Sequence, residues 1–484
     1  MLARPHPQPR VHDEFSYLLA ADTLAHGRFA NPPHPLGRFF ASPHVLQRPT
    51  YASKYPLGHA VPLALGQRLL GDPFYGVLAE CAVMLFAFTV LLHLWTPVGA
   101  ARITAAIVFL GLLPPMYWSY SYWGGAMAAT GAALVLIGVA LGRGGYAAWA
   151  GSLLTTGGAI LFWTRPFEGG VFYLCVLAVF GKGLWQTTGR RLLVAAAIPC
   201  ALAVLITAAH NQATTGRPYR LPYMEYDAAY GTAPLFWVLP MRREEPPYPH
   251  RRMQEQHGRH GWEAVTYERH QPWTQGVRIG LYESVNALLS LTALRVDVLG
   301  MTLLVLLWVT GWGDPVCRRM TVVVTGCVAA MTLEGWHFEH YAGPAMAAFF
   351  VAAAAAIGRL WQFRPGGKRV GAALACCLVW LPLVGQLKTA PLLGTPTWAD
   401  ERAQLLARLG TRARPQVVLV SYPPSAWPIN NEWVYNSADI DGQRVILAHD
   451  LGEAESTALR AYYPQREFWR LIVTDRARTL EPLP

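Results

Sequence analysis

The sequence predicts an α-helical polytopic membrane protein of about ten spans, with a small α/β domain at its C-terminal end. Three observations carry this. Of the 484 residues, 53% are apolar and 14% are charged, against about 25% charged in a soluble domain. Long apolar runs, such as Phe74 to Trp95 and Val370 to Leu387, match the about 20 residues that cross a bilayer. Aromatic residues gather at the ends of such runs, at Trp95, Trp118, Trp123, Trp163, Trp185, Trp312 and Trp361, as expected of the belts at both membrane interfaces.

In chain order the expected spans are 74–95, 103–118, 125–141, 147–162, 169–181, 192–209, 296–312, 320–334, 343–361 and 370–389. The two short ones, 147–162 and 169–181, read as one hairpin interrupted around Thr164-Arg165-Pro166-Phe167. One set of connecting loops holds Arg102, Arg143, Lys182, Arg190, Arg191, Arg318, Arg319, Arg359, Arg364, Lys368 and Arg369, whereas the other short loops hold only Arg165. The excess of basic residues assigns the first set to the cytoplasm. Residues 1–73, the polar and aromatic loop 210–295 and the tail 390–484 then lie outside. The expected organisation is an exoplasmic segment 1–73 with juxtamembrane helices, a membrane domain 74–389 and a soluble domain 390–484. No h-region of a signal peptide is visible in 1–73.

In the tail, Gln416 to Ser421, Gln443 to Ala448 and Phe468 to Val473 read as strands, and Glu453 to Tyr462 reads as a helix. The formal net charge of +11 points to anionic lipid head groups rather than nucleic acid, because the basic residues fall between apolar runs. The seven cysteines lie in no segment assigned to the outside and form no CxxC, so neither a disulfide framework nor a cysteine metal site is expected.

Four constellations are able to carry chemistry. Asp13-Glu14, followed by Tyr17, Ala20 and Gly27, pairs a carboxylate suited to general-base work with one that orients it or shares its titration. The alternative is a solvated helix N-terminus, where acids are favoured by the macrodipole. Ser53-Lys54-Tyr55-Pro56-Leu57 brings an ammonium able to neutralise a lipid phosphate, or simply a snorkelling interfacial lysine. Arg165-Pro166-Phe167-Glu168 places a guanidinium close to hydrocarbon, with Glu168 as its partner. Glu334-Gly335-Trp336-His337-Phe338-Glu339-His340-Tyr341 lines a cleft or forms a polar interfacial loop. Its His337-x-x-His340 pair lacks the third ligand that a metal site needs. The run His250 to His270 is either an anion-attracting surface or a solvated loop.

The order and spacing of these pieces resemble the GT-C glycosyltransferase superfamily, most closely the bacterial lipid A aminoarabinose transferases and the related protein O-mannosyltransferases. Their first exoplasmic loop carries Asp-Glu, then x-x-Tyr-x-x-x-Ala, then Gly, as Asp13-Glu14, Tyr17, Ala21 and Gly27 do here in closely similar spacing. Lys54-Tyr55-Pro56-Leu57 is similar to their Lys-Pro-Pro-Leu, with Tyr at the first Pro. Arg165-Pro166 is similar to a later Lys-Gly-Pro, and His340-Tyr341-Ala342-Gly343-Pro344 to a late Arg-Tyr-x-x-Pro. The family carries a transmembrane helix ahead of the Asp-Glu loop, and the expectation here is that this helix is absent from the sequence.

The resemblance implies a multi-pass enzyme of the bacterial inner membrane with its active site on the periplasmic, exoplasmic side. It would transfer a sugar from a polyprenyl-phosphate donor to an envelope acceptor with inversion. Asp13 would be the base and Glu14 its orienting partner. Lys54 and Arg165 would take the departing phosphate, and Tyr17, Tyr55, Glu168, His337, His340 and Tyr341 would shape the cleft. Some relatives use a divalent metal and others do not, so the cofactor stays open between none and such an ion. Two other readings compete. A transporter or flippase for lipid-linked sugars would show broken spans in matching halves, and one break is visible, near Arg165. A non-catalytic envelope assembly protein would use the tail for binding.

Overall fold

The computed structural model describes residues 6–112, 117–292, 298–383, 397–423, 431–474 and 477–484. Each expected span carries a helix within these residues. They are α3 (Phe74–Trp95), α4 (Val98–Gly111), α5 (Gly125–Arg143), α6 (Ala147–Thr164), α7 (Pro166–Thr188), α8 (Arg190–Thr215), α13 (Val298–Gly311), α14 (Pro315–Met331), α15 (Gly343–Trp361) and α16 (Val370–Cys377). Among the described residues five helices are long and apolar enough to cross a membrane: α3, α5, α7, α8 and α15 with the turn before it. Parts of the expected spans 103–118, 296–312 and 370–389 lie outside the described residues.

The expected interrupted hairpin is two full helices. Arg165 alone separates α6 from α7, and Gly189 alone separates α7 from α8. Proline at the first position of α7 suits a helix start, where its missing N–H is no loss.

Small residues set the core of the bundle. In α5 and α15, alanine and glycine dominate, so backbones approach closely without a hydrophobic force between helices in lipid. A Cβ at Gly157 would lie 2.5 Å from the Gly131 carbonyl oxygen, so α5 and α6 touch backbone to backbone there. By contrast, none of the apolar window of α8 is buried. Leu193, Val194, Ile198, Leu202 and Leu205 all stand exposed on it.

The two loop sets lie at opposite ends of the bundle. Arg143 ends α5, Arg190 opens α8 and Arg359 sits in the last turn of α15. The other helix ends meet a polar cap. Its first part is α1 (His12–Ala25), the two-stranded hairpin β1 (Val45–Leu46) and β2 (Ala52–Ser53), and α2 (Leu57–Leu70). Val45 pairs with Ser53 in that hairpin. The loop 210–295 is ordered into α9 (Pro222–Tyr230), α10 (Arg251–His257), α11 (Trp262–Glu268) and α12 (Trp273–Leu288). The run His250 to His270 is therefore largely packed rather than solvated: Arg252 pairs with Glu432 at 3.5 Å, and His257 with Glu263 at 2.9 Å.

The tail holds α17 (Trp398–Gly410), β3 (Gln416–Ser421), β4 (Val445–His449), α18 (Glu453–Tyr462), β5 (Glu467–Val473) and β6 (Arg478–Leu483). Strand order is β4-β3-β5-β6, with β3 parallel to both neighbours and β5 antiparallel to β6. Side chains alternate across a strand. Val418 and Val420 of β3 accordingly pack with Leu405 and Leu409 of α17. Val417 and Leu419 face the other way, with Leu459 of α18 and with Phe15, Leu19, Phe40 and Tyr51 from the start of the chain. One face of the sheet thus shares a core with α1 and the turn after it. All seven cysteines are free thiols.

Candidate active site

A cleft of about 410 Å³ opens between the cap and the bundle, lined among others by Asp13, Lys54, Arg165, Glu168, Tyr55 and Tyr341. Three short-range devices bring the first three together. Asp13 stands in the first turn of α1, where the helix dipole favours an acid. Lys54 follows β2, its backbone N–H donating to the His44 carbonyl at 3.1 Å. Arg165 is the joint between α6 and α7. Gly58 lets α2 seat on the end of α6, since a Cβ there would lie 2.5 Å from Thr164 Cγ2 and 2.7 Å from the Trp163 carbonyl oxygen.

Asp13 accepts a hydrogen bond from the Tyr55 hydroxyl, and its Oδ1 lies 3.5 Å from His44 Nδ1. The same His44 nitrogen is 3.1 Å from the Tyr55 hydroxyl. Both contacts fall on Oδ1, which leaves Oδ2 without a hydrogen-bond partner among the described residues. Burial alone would raise the carboxyl. His44, Lys54 and Tyr55 outweigh it and hold Asp13 well below the usual carboxylate range. The Tyr55 hydroxyl is pushed well up, by burial first and by Asp13 second.

The Lys54 ammonium sits over three tyrosine rings, 5.3 Å from the centroid of Tyr55, 5.8 Å from Tyr223 and 5.0 Å from Tyr226. Cation–π contacts of this kind stabilise a partly desolvated charge. No carboxylate among the described residues comes within ion-pair distance of it. Burial holds its pKa below the ordinary lysine value, against the pull of Asp13, Glu263 and Asp227. The Arg165 guanidinium lies 4.1 Å from the Tyr341 ring centroid and 3.6 Å from Glu168. A lysine without a fixed anion and a clamped arginine are both poised for a phosphate oxygen.

Four expected residues sit elsewhere. Glu14 is buried away from the cleft, where it accepts the backbone N–H groups of Arg10 at 2.7 Å and Tyr122 at 2.9 Å. That work ties α1 to the segment leading into α5, and replaces the expected orienting role beside Asp13. Tyr17 stands one layer behind the lining, its ring stacked on Tyr55 at 4.3 Å. Burial pushes its hydroxyl up to about 12 against the neighbouring Arg165 guanidinium. His340 is clasped by aromatic rings, 4.4 Å from Trp123, with Nδ1 2.5 Å from the Tyr117 hydroxyl. His337 turns toward α12, 2.8 Å from Glu283. His337 and His340 therefore neither line the cleft nor form a pair.

The sequence reading missed His44, Tyr223, Asp227 and Glu263, whereas Glu334 opens the constellation that it offered as a cleft wall. Glu334 lines the cleft, is 1% exposed and has no hydrogen-bond partner on either carboxyl oxygen. His44 lies in no motif. Its one structural mark is a backbone φ of +67°, a left-handed conformation that a non-glycine residue adopts at a cost.

A second cavity, an apolar groove of about 1000 Å³, runs between α6, α7 and α8, past Phe162, Tyr173, Leu174 and Val204. It meets the polar cleft at Pro166 and Leu221, which line both.

No protein-family model matches the chain, and no curated protein matches it. Solved structures do match, among them the crystal structures of ArnT from Cupriavidus metallidurans bound to undecaprenyl phosphate and in the apo state. They align with TM-scores of 0.50 and 0.51, each at 12% identity, covering 97% of this chain and 90% of that chain. At that identity the likeness is one of fold. The chain shares the fold of these ArnT structures, the kind of protein its motifs resemble.

Proposed function

We propose that this chain is an integral membrane glycosyltransferase that uses a polyprenyl-phosphate-linked sugar as donor. The observation that carries the reading is the meeting of the two cavities. An apolar groove fit for an isoprenoid tail ends, at Pro166 and Leu221, on a polar cleft that holds Lys54, Arg165 and the ionised Asp13. The solved neighbour's complex with undecaprenyl phosphate supports a lipid carrier. The sorting of basic residues to the far end of the bundle supports an exoplasmic cleft in a bacterial inner membrane.

In this mechanism the acceptor hydroxyl attacks the anomeric carbon from the face opposite the phosphate. The new glycosidic bond forms as the carbon–oxygen bond to phosphate breaks, which inverts the centre. Lys54 and Arg165 stabilise the charge that grows on the leaving phosphate. Asp13 Oδ2 accepts the hydroxyl's hydrogen bond and takes its proton as attack completes. An acid held this far down is a weak base, so its first contribution is orientation. The phosphate is a good leaving group and does not call for strong basic activation. Tyr55 and His44 hold Asp13, and Tyr341 holds Arg165. The acceptor is an envelope glycan, lipid or protein that reaches the cleft from the cap.

The deciding experiment compares Asp13→Asn with the parent chain in proteoliposomes charged with polyprenyl-phosphate sugars. Transfer should fall by at least about a hundredfold, with membrane insertion and Tm retained. Unchanged transfer by the variant, or donor translocation without transfer by the parent, would overturn the reading.

A further inference from the structure

We propose a divalent transition-metal site, separate from the cleft and independent of the transferase reading, formed by His270, Glu283 and His337. Their ligand atoms all lie within 4.8 Å of one another. The three come from distant places: the turn between α11 and α12, the middle of α12, and the connector between α14 and α15.

The hydrogen bonds fix which nitrogens are free. His270 Nδ1 is 3.0 Å from the Thr266 carbonyl oxygen, and His337 Nε2 is 2.7 Å from the Met331 carbonyl oxygen. A carbonyl only accepts, so each of these nitrogens carries the proton and donates it. In the neutral rings the remaining nitrogens, His270 Nε2 and His337 Nδ1, are lone pairs. Both are buried and neither has a hydrogen-bond partner. His337 Nδ1 faces Glu283 Oε2 at 2.8 Å, without the alignment that a hydrogen bond requires. Two lone pairs and a carboxylate converging on one point repel one another unless a cation lies between them.

The surroundings match how proteins hold such ions. A ligating imidazole usually donates its other N–H to a backbone carbonyl or a carboxylate, which sets the tautomer and the ring orientation. Both histidines do so here. Two imidazoles and one carboxylate suit zinc or a similar ion, with a fourth position left for water. Tetrahedral ligands about such an ion stand about 3.3 Å apart, so the cluster must contract slightly. Glu283 is the member able to move, since its side chain is 38% exposed while that of His337 is 2% exposed. The same exposure is the entry path. The histidine partner of His337 is thus His270 across the fold, rather than His340 three residues away.

The ion's role is structural. It fastens α12 and the turn before it to the connector that bears Glu334, Trp336 and Phe338 on the cleft wall. The full-length protein, purified in detergent without chelator, should carry about one zinc-like ion per chain by elemental mass spectrometry. EDTA should lower its Tm, and ZnCl2 should restore it. His270→Ala and Glu283→Gln should each lose bound metal by at least about tenfold, while His340→Ala keeps it. Glu283 is the exposed member, so its variant folds even if the histidine variant does not. Metal-free protein whose Tm ignores added ZnCl2 would overturn the proposal and leave a protonated His337–Glu283 ion pair. Equal metal content in parent and Glu283→Gln would overturn it as well.

Discussion

The Nδ1 atom of His44 lies 3.5 Å from the Oδ1 atom of Asp13. His44 reaches that position only through a left-handed backbone, φ +67°, which costs a non-glycine residue about 1–3 kcal/mol. Three contacts hold it there: its N–H donates to the Tyr226 hydroxyl at 2.7 Å, and its carbonyl accepts from Ser16 Oγ at 2.7 Å and from the Lys54 N–H at 3.1 Å.

His44 is therefore a positioning residue for Asp13. His44→Gly should leave Tm unchanged or raised, because glycine tolerates the backbone, while transfer falls about tenfold to a hundredfold. A second readout separates positioning from mere folding. His44 is among the groups that hold the Asp13 carboxyl down. Without it that pKa rises, and the acid limb of the pH–rate profile moves to higher pH. An unmoved acid limb would count against the role.

Lys54 should set the alkaline limb. Burial lowers its pKa, so its charge is lost as pH rises, earlier than the about 10.4 of an ordinary lysine. Transfer should decline through that range. Lys54→Arg, which stays charged, should shift the limb upward at reduced rate. Lys54→Met should raise KM for the lipid donor about tenfold or more at every pH.

Gly58 should be intolerant of any side chain. A Cβ there would lie 2.5 Å from Thr164 Cγ2 and 2.7 Å from a backbone oxygen of α6. Gly58→Ala then pushes α2 off α6, at a cost of about 1–3 kcal/mol. Lys54 lies just ahead of α2, in the segment that leads from β2 to Gly58, and Arg165 follows Thr164 directly, so the two cations separate. Transfer and Tm should fall together. A fully active Gly58→Val would refute the close seating.

Tyr435 joins the tail to α1. Its ring stacks on Phe15 at 4.2 Å, and its hydroxyl is 2.8 Å from His12 Nδ1 and donates to the Pro43 carbonyl at 3.0 Å. Tyr435→Phe should cost about 1 kcal/mol, and Tyr435→Ala about 3–5 kcal/mol, read from thermal or denaturant unfolding. The alanine variant should also lose transfer, although the residue is remote in sequence from Asp13.

Much of this was legible in the sequence, and for a clear reason. Hydrocarbon demands long apolar runs, so α3, α5, α7, α8 and α15 announce themselves, and their loops carry the basic residues at one end. Asp13 and Lys54 stand out through the order of motifs that resembles the GT-C enzymes, and Arg165 because a charge so close to hydrocarbon is costly and calls for a partner. The tail strands show as short apolar runs. What stayed hidden depends on contacts across the fold. Glu14 looks like the equal of Asp13, yet the helix turn sends it to the backbone of Tyr122. His44 has no periodicity or motif, only a strained φ. His337 suggests a local pair with His340, whereas its partners Glu283 and His270 lie on another segment. The sharing of a core between Phe15 and Val417 has no trace in either stretch alone.

That shared core imposes an order on biogenesis. Phe15 and Leu19 have no Val417, Leu419 or Phe468 to bury against until the ribosome has passed Phe468. While the spans enter the bilayer one after another, α1 waits half-packed at the surface, its Phe15 and Leu19 face uncovered. Only the finished polypeptide closes over it, so a prematurely released fragment has every membrane helix and still lacks a settled reaction centre.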